Sequence, residues 1–203
     1  MKDLPVLDMI NLLSSLSSGD TVSEVRSPPI DFKWPNQLYD KIIFTNCDLL
    51  KPDITGSLGK GPVFQHCIFK DCSLEGLDIN GAKFDHCSFE NVVISSSRSS
   101  KFGKCKFENC NFLNCEMYYL NFENTLITRC TFENSDSTKM KFIDCKLEET
   151  TFAGSQKYLD FIDSTLKECD LLELNARRCK LNNCLIENTK LKTDDSVQRL
   201  NEK

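Results

Sequence analysis

The sequence has no apolar run near the roughly 18 residues that a membrane-spanning helix needs, so no membrane span is expected. A usual export signal is also missing, because Asp3 and Asp8 interrupt the apolar N-terminal stretch and Lys2 alone is positive there. The sequence contains two histidines, His66 and His86, and no Ser-His-Asp arrangement can be placed around them. The phosphate-loop pattern G-x-x-x-x-G-K-[ST] and any basic stripe are absent. We therefore predict a cytoplasmic, non-enzymatic protein that does not bind nucleic acid directly.

Cysteine, in contrast, is abundant, with twelve in 203 residues. Without an export signal this count indicates a reducing compartment, whereas in a secreted protein it would suggest six disulfides. The stretch CKFENCNFLNC, from Cys105 to Cys115, places three cysteines five residues apart. Five fits neither the helical period of 3.6 nor the strand period of 2, so a longer repeat has to be defined before any chemistry is assigned.

A five-residue repeat runs through most of the chain, with a large apolar residue, here called the centre, at every fifth position. In the middle block only Ser137 is polar: Phe102, Phe107, Phe112, Met117, Phe122, Ile127, Phe132, Ser137, Phe142, Leu147 and Phe152. The other two blocks run through Phe44, Leu49 and Ile54, then Phe64, Phe69, Leu74, Ile79, Phe84, Phe89 and Ile94, and finally Phe161, Leu166, Leu171, Ala176, Leu181, Ile186 and Leu191. Two slips join the blocks, one of eight residues after Ile94 and one of nine after Phe152.

Every cysteine lies two residues before a centre, at a position here called the slot. The twelve are Cys47, Cys67, Cys72, Cys87, Cys105, Cys110, Cys115, Cys130, Cys145, Cys169, Cys179 and Cys184. The other slot residues are mostly small or apolar, such as Ala82 and Thr125. We interpret the slot as selecting for size and burial, with cysteine acting as a small hydrophobe.

Metal binding and disulfides are the two alternatives for these cysteines. A zinc site needs four converging ligands and usually histidine, whereas the cysteines are spread along the repeat and both histidines share an outward position. We therefore predict no metal site and no cofactor; a two-histidine site is the alternative at His66 and His86, which lie twenty residues apart and should stack on one face, but we favour surface polar residues there. Cys47, Cys67 and Cys87 could stack about 4.8 Å apart, which a disulfide tolerates, but three in one column in a reducing compartment favour free thiols.

The segments CNFLN, CTFEN, CSFEN and CDLLE resemble the consensus of the pentapeptide-repeat family: a small residue, Asp or Asn, Leu or Phe, and two polar residues. The resemblance covers about Ile42 to Thr193. It implies an all-β solenoid, a right-handed quadrilateral β-helix in which four pentapeptides make one square coil. We predict a helix and capping segment at 1–40, the β-helix at 41–193 and a polar tail at 194–203.

The N-terminal segment is predicted to cap the first coil. Five apolar residues fall on one helical face before a stop at Gly19: Val6, Met9, Ile10, Leu13 and Leu16. Farther along, Trp34 and Tyr39 are expected to cover the open end, since unpaired strand edges invite aggregation.

Two segments are expected to leave the regular frame. The first slip is predicted to be a polar loop: Ser95, Ser96, Ser97, Arg98, Ser99, Ser100 and Lys101. The second contains Lys157 at a centre, in the same column as Met117, Ser137 and Ala176. A lysine is not expected to be buried there unpaired, so SQKYL is predicted to bulge outward.

The first functional hypothesis is a scaffold that binds a protein partner, as a monomer or weak dimer. The candidate anchors are outward apolar residues: Tyr118, Tyr119, Leu113 and Leu126. Scattered surface apolar residues, however, need no such explanation.

Two alternatives come from the family. Some of its members imitate a DNA duplex, bind DNA gyrase and protect it from quinolones or peptide toxins. Residues 41–193 carry 20 basic and 21 acidic side chains, so the rod is nearly neutral, whereas a DNA mimic needs sustained negative charge. The gyrase-directed members also dimerise through an apolar helix, and this tail offers only Val197 and Leu200. A bacterial effector that engages host proteins is the third hypothesis.

Overall fold

The computed structural model describes residues 1–35, 39–54, 57–74, 78–156, 158–172, 174–176, 178–191 and 197–200, with the backbone alone at 57, 78, 95–101, 156, 174–176 and 197–200. These residues form an all-parallel β-solenoid of about eight turns, with one helix, Val6–Ser15, at the N-terminal end. The solenoid predicted from the sequence is confirmed. No helix in the described part of the chain is long and apolar enough to cross a membrane.

Each turn passes through four faces. Face 1 is a nine-stranded sheet: Thr21–Ser23, Ile43–Thr45, Val63–Gln65, Lys83–Asp85, Lys106–Glu108, Leu126–Thr128, Lys146–Glu148, Thr165–Lys167 and Leu185–Glu187. Face 2 has eight strands: Lys2–Asp3, Val25–Arg26, Asp48–Leu50, Ile68–Lys70, Ser88–Glu90, Asn111–Leu113, Thr131–Glu133 and Thr151–Phe152.

An eleven-stranded sheet supplies the other two faces. Its strands are Ser57–Lys60, Asp78–Asn80, Val93–Gly103, Glu116–Glu123, Asp136–Thr138, Met140–Ile143, Gly154–Gln156, Leu159–Ile162, Leu174–Ala176, Cys179–Asn182 and Val197–Leu200. The strand Glu116–Glu123 pairs with Asp136–Thr138 through its first half and with Met140–Ile143 through its second. The first half belongs to face 3 and the second to face 4. Near the N-terminal end, Phe32–Lys33 pairs with Pro52–Asp53.

The centres point into the tube and stack from one turn to the next. On face 2 the rings of Phe112 and Phe132 are parallel, with centroids 4.6 Å apart, and Phe132 and Phe152 repeat this spacing. Face 1 stacks Phe64 on Phe84 at 5.0 Å. The core is therefore a set of mainly aromatic and aliphatic columns along the axis, buried except near the C-terminal end, where Ile186 and Leu191 are partly exposed.

The corners explain why the period is five. The residue two after each centre takes a left-handed backbone conformation, with φ between 47° and 59° at 22 non-glycine positions. Eight of the 22 are asparagine, which tolerates this conformation better than most residues. Three extended residues, one left-handed turn residue and one slot residue thus complete each side of the square.

The twelve cysteines in the slots are all buried and free, as expected. Size is not their only property, however. Cys67 donates its S–H towards the carbonyls of Phe44 and Gln65, and Ser164 donates its hydroxyl to the equivalent carbonyls of Phe142 and Ile162. The slot therefore favours a small side chain whose buried donor can bond to corner carbonyls, such as those of Gln65 and Ile162, which also accept from backbone amides of the preceding turn.

The N-terminal helix is confirmed, whereas Trp34 and Tyr39 lie in a first turn of the solenoid, hydrogen-bonded to residues 53 and 58, and not in a separate cover. Met9 and Leu13 of the helix are buried, and the ring of Trp34 lies 5.9 Å from that of Phe44 and 5.7 Å from that of Tyr39. The helix ends at Ser15, before Gly19.

Strand pairing extends beyond the boundaries predicted at residues 41 and 193. Thr21–Ser23 already pairs with Ile43–Thr45, so a turn of the solenoid precedes residue 41. At the other end, Val197–Leu200 pairs with Cys179–Asn182 inside the segment predicted to be a polar tail.

Both slips are absorbed on the eleven-stranded sheet. The serine-rich stretch was predicted to be a loop, but it is part of the strand Val93–Gly103. This strand pairs with Glu116–Glu123 up to Ser95 and again from Ser100. Between these two points, residues 96–99 lie opposite a single residue, Tyr119. The side chains of 95–101 lie outside the described residues. At the second slip Ser137 pairs with Gln156, so Gln156 and not Lys157 occupies the face 3 column; Lys157 lies outside the described residues.

Candidate protein-binding surfaces

Face 1 presents a ladder of paired charges. The Lys106 Nζ–Glu108 Oε2 distance is 2.5 Å, Arg129 reaches the same carboxylate at 2.6 Å, and Lys146 Nζ lies 2.8 Å from Glu148. The hydrogen bond from Lys106 is the largest influence that lowers the pKa of Glu108. Each of these carboxylates is thus neutralised locally, and face 1 is not a continuous anionic surface.

The four predicted anchors do not form one surface. Leu113 lies on face 2, Tyr118 on face 3 and Leu126 on face 1, which is opposite face 3. Tyr119 occupies the corner between faces 3 and 4. Only the two tyrosines are neighbours.

These tyrosines form a small ridge. Tyr119 is 47% exposed, and Lys139 Nζ lies 4.9 Å from its ring centroid. Its φ of 57° is unusual for a bulky residue. The Tyr118 hydroxyl donates to Glu116 at 3.1 Å; partial burial and then this contact raise the pKa of Tyr118.

A better-formed concavity lies at the N-terminal end of face 2. We call it the proline groove: Leu4 and Pro5 form one wall, Pro28 and Pro29 the other, and Leu50 and Ile68 the floor, around about 740 Å³. Ile68 is 37% exposed. An apolar concavity of this size is the usual form of a binding site.

Hydrogen bonds from Ser27 hold the Pro28–Pro29 wall in place. The Ser27 hydroxyl donates to the Leu50 carbonyl at 2.9 Å and accepts from the Leu50 amide at 2.6 Å. Ser27 is itself buried, so this wall is anchored to the floor strand. The groove is therefore a fixed feature of face 2.

Charge pairs border the groove. Arg26 Nε donates to Asp48 at 2.8 Å, its Nη1 lies 3.6 Å from Asp3, and Lys70 pairs with Glu90 at 2.9 Å. The hydrogen bond with Asp48 is the main cause that raises the pKa of Arg26. The site thus combines an apolar floor with a polar rim.

The groove was not expected from the sequence. Residues 1–40 were expected to form only a helix and an end cap, although Pro28 and Pro29 form a side wall. The available signal was apolar residues in outward positions on successive turns, Leu50 and Ile68, where most turns carry polar residues.

Both histidines lie at the corner between faces 1 and 2. Their ring centroids are 4.9 Å apart, and His86 Nδ1 is 2.8 Å from Asp85 Oδ1. Among the described residues neither imidazole is hydrogen-bonded to a hydroxyl or thiol, and no group of three or more His, Cys, Asp or Glu side chains is arranged to hold a metal ion. The described part of the chain therefore shows no nucleophile activated by histidine.

These features define a class of protein, a four-sided β-solenoid built from five-residue units with a rigid, mostly polar exterior. Residues 84–157 match the family described as "Pentapeptide repeat region", and residues 62–95 match "Pentapeptide repeats (8 copies)". The chain therefore contains pentapeptide repeats over residues 62–157.

A solved structure that matches with a TM-score above 0.5 shows the same fold. The chain is similar to a trypsin-treated form of QnrB1, a plasmid-mediated fluoroquinolone resistance protein, with 18% identity, a TM-score of 0.62, and coverage of 91% of this chain and 84% of QnrB1. It also matches HetL from the cyanobacterium Nostoc, a pentapeptide repeat protein involved in heterocyst differentiation regulation, with 12% identity, a TM-score of 0.40, and coverage of 96% and 94%. No curated protein sequence matches the chain.

Proposed function

We propose that this protein is a non-catalytic scaffold that binds a protein partner in the proline groove. The observation that carries the proposal is the apolar concavity of about 740 Å³ on an exterior whose face 1 is flat and charge-paired. Binding energy at protein interfaces is concentrated where an apolar or aromatic side chain fills a desolvated pocket. The proline groove offers such a pocket.

The chemistry of the groove indicates what the partner presents. An apolar side chain packs between the proline walls onto Ile68, and polar groups around it meet the Arg26–Asp48 and Lys70–Glu90 pairs. Because the rim carries both signs of charge, it contributes more to the orientation of the partner than to the affinity of binding.

A matched pair of variants tests the site. Ile68→Asp places a carboxylate on the groove floor, and Leu185→Asp makes the same kind of change one residue before a centre on face 1, where Leu185 is 43% exposed. We expect a partner captured by the unchanged protein to bind Ile68→Asp at least about tenfold more weakly and Leu185→Asp equally well. Equal binding by all three proteins contradicts the proposal.

The tyrosine ridge is the competing surface on the same molecule. Replacing Tyr119 by Asn introduces the residue most common at these corners and removes the exposed ring. We expect partner binding to persist in Tyr119→Asn. If it is lost there and retained in Ile68→Asp, the partner binds the ridge and not the groove.

Gyrase is a second candidate partner, because the chain shares its fold with QnrB1, a quinolone resistance protein. The local charge pairing on face 1 and the near-neutral rod disfavour this candidate, since binding in place of DNA calls for sustained negative charge. A gyrase supercoiling assay with a quinolone separates the two. Restored supercoiling on addition of the protein supports the gyrase function, and we expect no restoration.

A further inference from the structure

The two histidines of the chain stand side by side. His66 and His86 occupy corresponding corners of consecutive turns, because Gln65 pairs with Asp85 and the His66 amide donates to the Asp85 carbonyl at 2.9 Å. Their ring centroids are 4.9 Å apart, with planes inclined by 31°. Both side chains are exposed. Since asparagine is the commonest residue at these corners, the fold does not require histidine at either one.

A carboxylate orients the second ring. His86 Nδ1 lies 2.8 Å from Asp85 Oδ1, which fits an Nδ1–H donating to the carboxylate. In the neutral tautomer that donates from Nδ1, the lone pair of His86 lies on Nε2, which is free to bind a metal. Metal-binding histidines in proteins commonly carry this carboxylate partner on the other ring nitrogen.

We propose that His66 and His86 bind one divalent transition-metal ion of the Zn²⁺, Ni²⁺ or Cu²⁺ class, through Nε2 of His86 and a ring nitrogen of His66. Imidazole is a preferred ligand of these three ions. Zn–N bonds of about 2.0–2.1 Å place two nitrogens of a tetrahedral site roughly 3.3 Å apart. We expect rotation of these exposed side chains, whose ring centroids are 4.9 Å apart, to bring two ring nitrogens to that separation.

Water completes the coordination in the isolated protein. The chain supplies two ligands at this corner, and within the described residues no third His, Cys, Asp or Glu joins them in a metal-binding group. The twelve thiols do not compete, since all of them are buried in the core. The site is therefore an open, exposed one, and it does not depend on the proposed function of the groove.

The experiment is a titration of the reduced, full-length protein with Zn²⁺, followed by calorimetry and by the NMR signals of the two imidazoles. We expect one Zn²⁺ per chain and shifts of both imidazole signals. His66→Asn and His86→Asn each retain a residue suited to the corner, and each is expected to weaken binding at least about tenfold. Asp85→Asn is expected to weaken it by about tenfold or more, because the orienting carboxylate is lost.

The control variant moves one histidine to another corner and keeps the total number of histidines unchanged. In the double variant H86N/N134H, the second imidazole lies at an exposed corner after Glu133, in line with Asn114 of the preceding turn and not with His66. We expect it to bind as weakly as His86→Asn. Binding equal to that of the unchanged protein overturns the paired site, and so does the absence of imidazole shifts at about millimolar Zn²⁺.

Discussion

Face 2 and face 3 wind around the same axis but keep the repeat to different degrees. Face 2 stacks Phe69, Phe89, Phe112, Phe132 and Phe152, with centroid spacings of 4.6–4.8 Å and nearly parallel rings. The face 3 column changes from Ile94 to Met117 to Ser137. The extra residues at 96–99 and the shortened turn before Gln156 both belong to the sheet of faces 3 and 4.

The slots show how the core tolerates this difference. Three consecutive slots that lead into face 4 hold large residues, Leu120, Met140 and Leu159, all fully buried, whereas the next one holds Cys179. Met140 follows three residues after Ser137, so a large slot residue there comes directly after a small centre in the chain. Elsewhere the slot carries mainly Cys, Ser or Thr, which donate hydrogen bonds to backbone carbonyls of the core. The corner between faces 3 and 4 is therefore where changes of turn length are least costly.

The largest expected effect comes from inserting one glycine at different corners. After Asn109, between faces 1 and 2, the corner amide bonds to Thr128 of the next turn at 3.0 Å, so an insertion breaks the ladder and shifts every later centre. We expect loss of several kcal/mol, or of the folded state, in urea unfolding followed by circular dichroism. The same insertion after Ser97 lengthens an existing irregularity and should cost about 0.5 kcal/mol or less. Equal costs would show that the corners are equivalent.

A truncation on each face gives the next largest contrast. Phe132→Ala removes a fully buried ring that stacks on two others at 4.6 Å and should lower the free energy of unfolding by about 3–5 kcal/mol. Ser137→Ala on face 3 should cost about 1 kcal/mol. The comparison of urea midpoints checks this; similar losses at both positions would mean that face 3 packs as tightly as face 2.

High pH should lower the free energy of unfolding mainly by ionising the slot cysteines. Burial raises the pKa of Cys115 and Cys145 to about 11, and of Cys72 and Cys179 to about 12, from 9.0. Because the folded pKa exceeds the unfolded one, the stabilisation is complete below about pH 9 and is lost as the pH rises towards 11–12. We expect a loss of the order of 1 kcal/mol per thiol near pH 10, measured by urea unfolding under reducing conditions. A flat profile from pH 8 to pH 10 would contradict it.

One slot can separate size from hydrogen bonding. Cys145 donates towards the Phe122 and Ile143 carbonyls, both at 3.3 Å, and Ser164 makes the same contacts one turn later. We expect Cys145→Ala to cost about 1–2 kcal/mol and Cys145→Ser less than that, as measured by thermal or urea unfolding. If alanine proves the better replacement, the slot selects for size alone, as the sequence analysis supposed.

The parts of this fold that were predictable are those that repeat. Phe112, Phe132 and the cysteine slots follow a five-residue period that can be read in one dimension, and the structure confirms that they point inward. The proline groove was not predictable in this way, because its walls at Leu4 and Pro28 come from non-repeating segments that meet only after the first turn has closed. In the sequence, the one sign that slot residues donate hydrogen bonds is that Cys, Ser and Thr each carry a hydrogen on the γ heteroatom.

The smallest expected effect concerns the corner of the tyrosine ridge. Tyr119 has a φ of 57°, which costs a bulky L-residue about 1–2 kcal/mol and asparagine less. The contact with Lys139 offsets part of this, by about 0.5–1 kcal/mol at an exposed site. Tyr119→Asn should therefore be neutral or stabilise by up to about 0.5 kcal/mol, whereas Asn134→Tyr, at φ 49° between faces 2 and 3, should destabilise by about 1 kcal/mol in urea unfolding. Asparagine adopts this backbone conformation more easily than tyrosine, so a tyrosine at this corner indicates a role other than stability. A clear loss of stability in Tyr119→Asn would therefore count against the ridge as a binding surface.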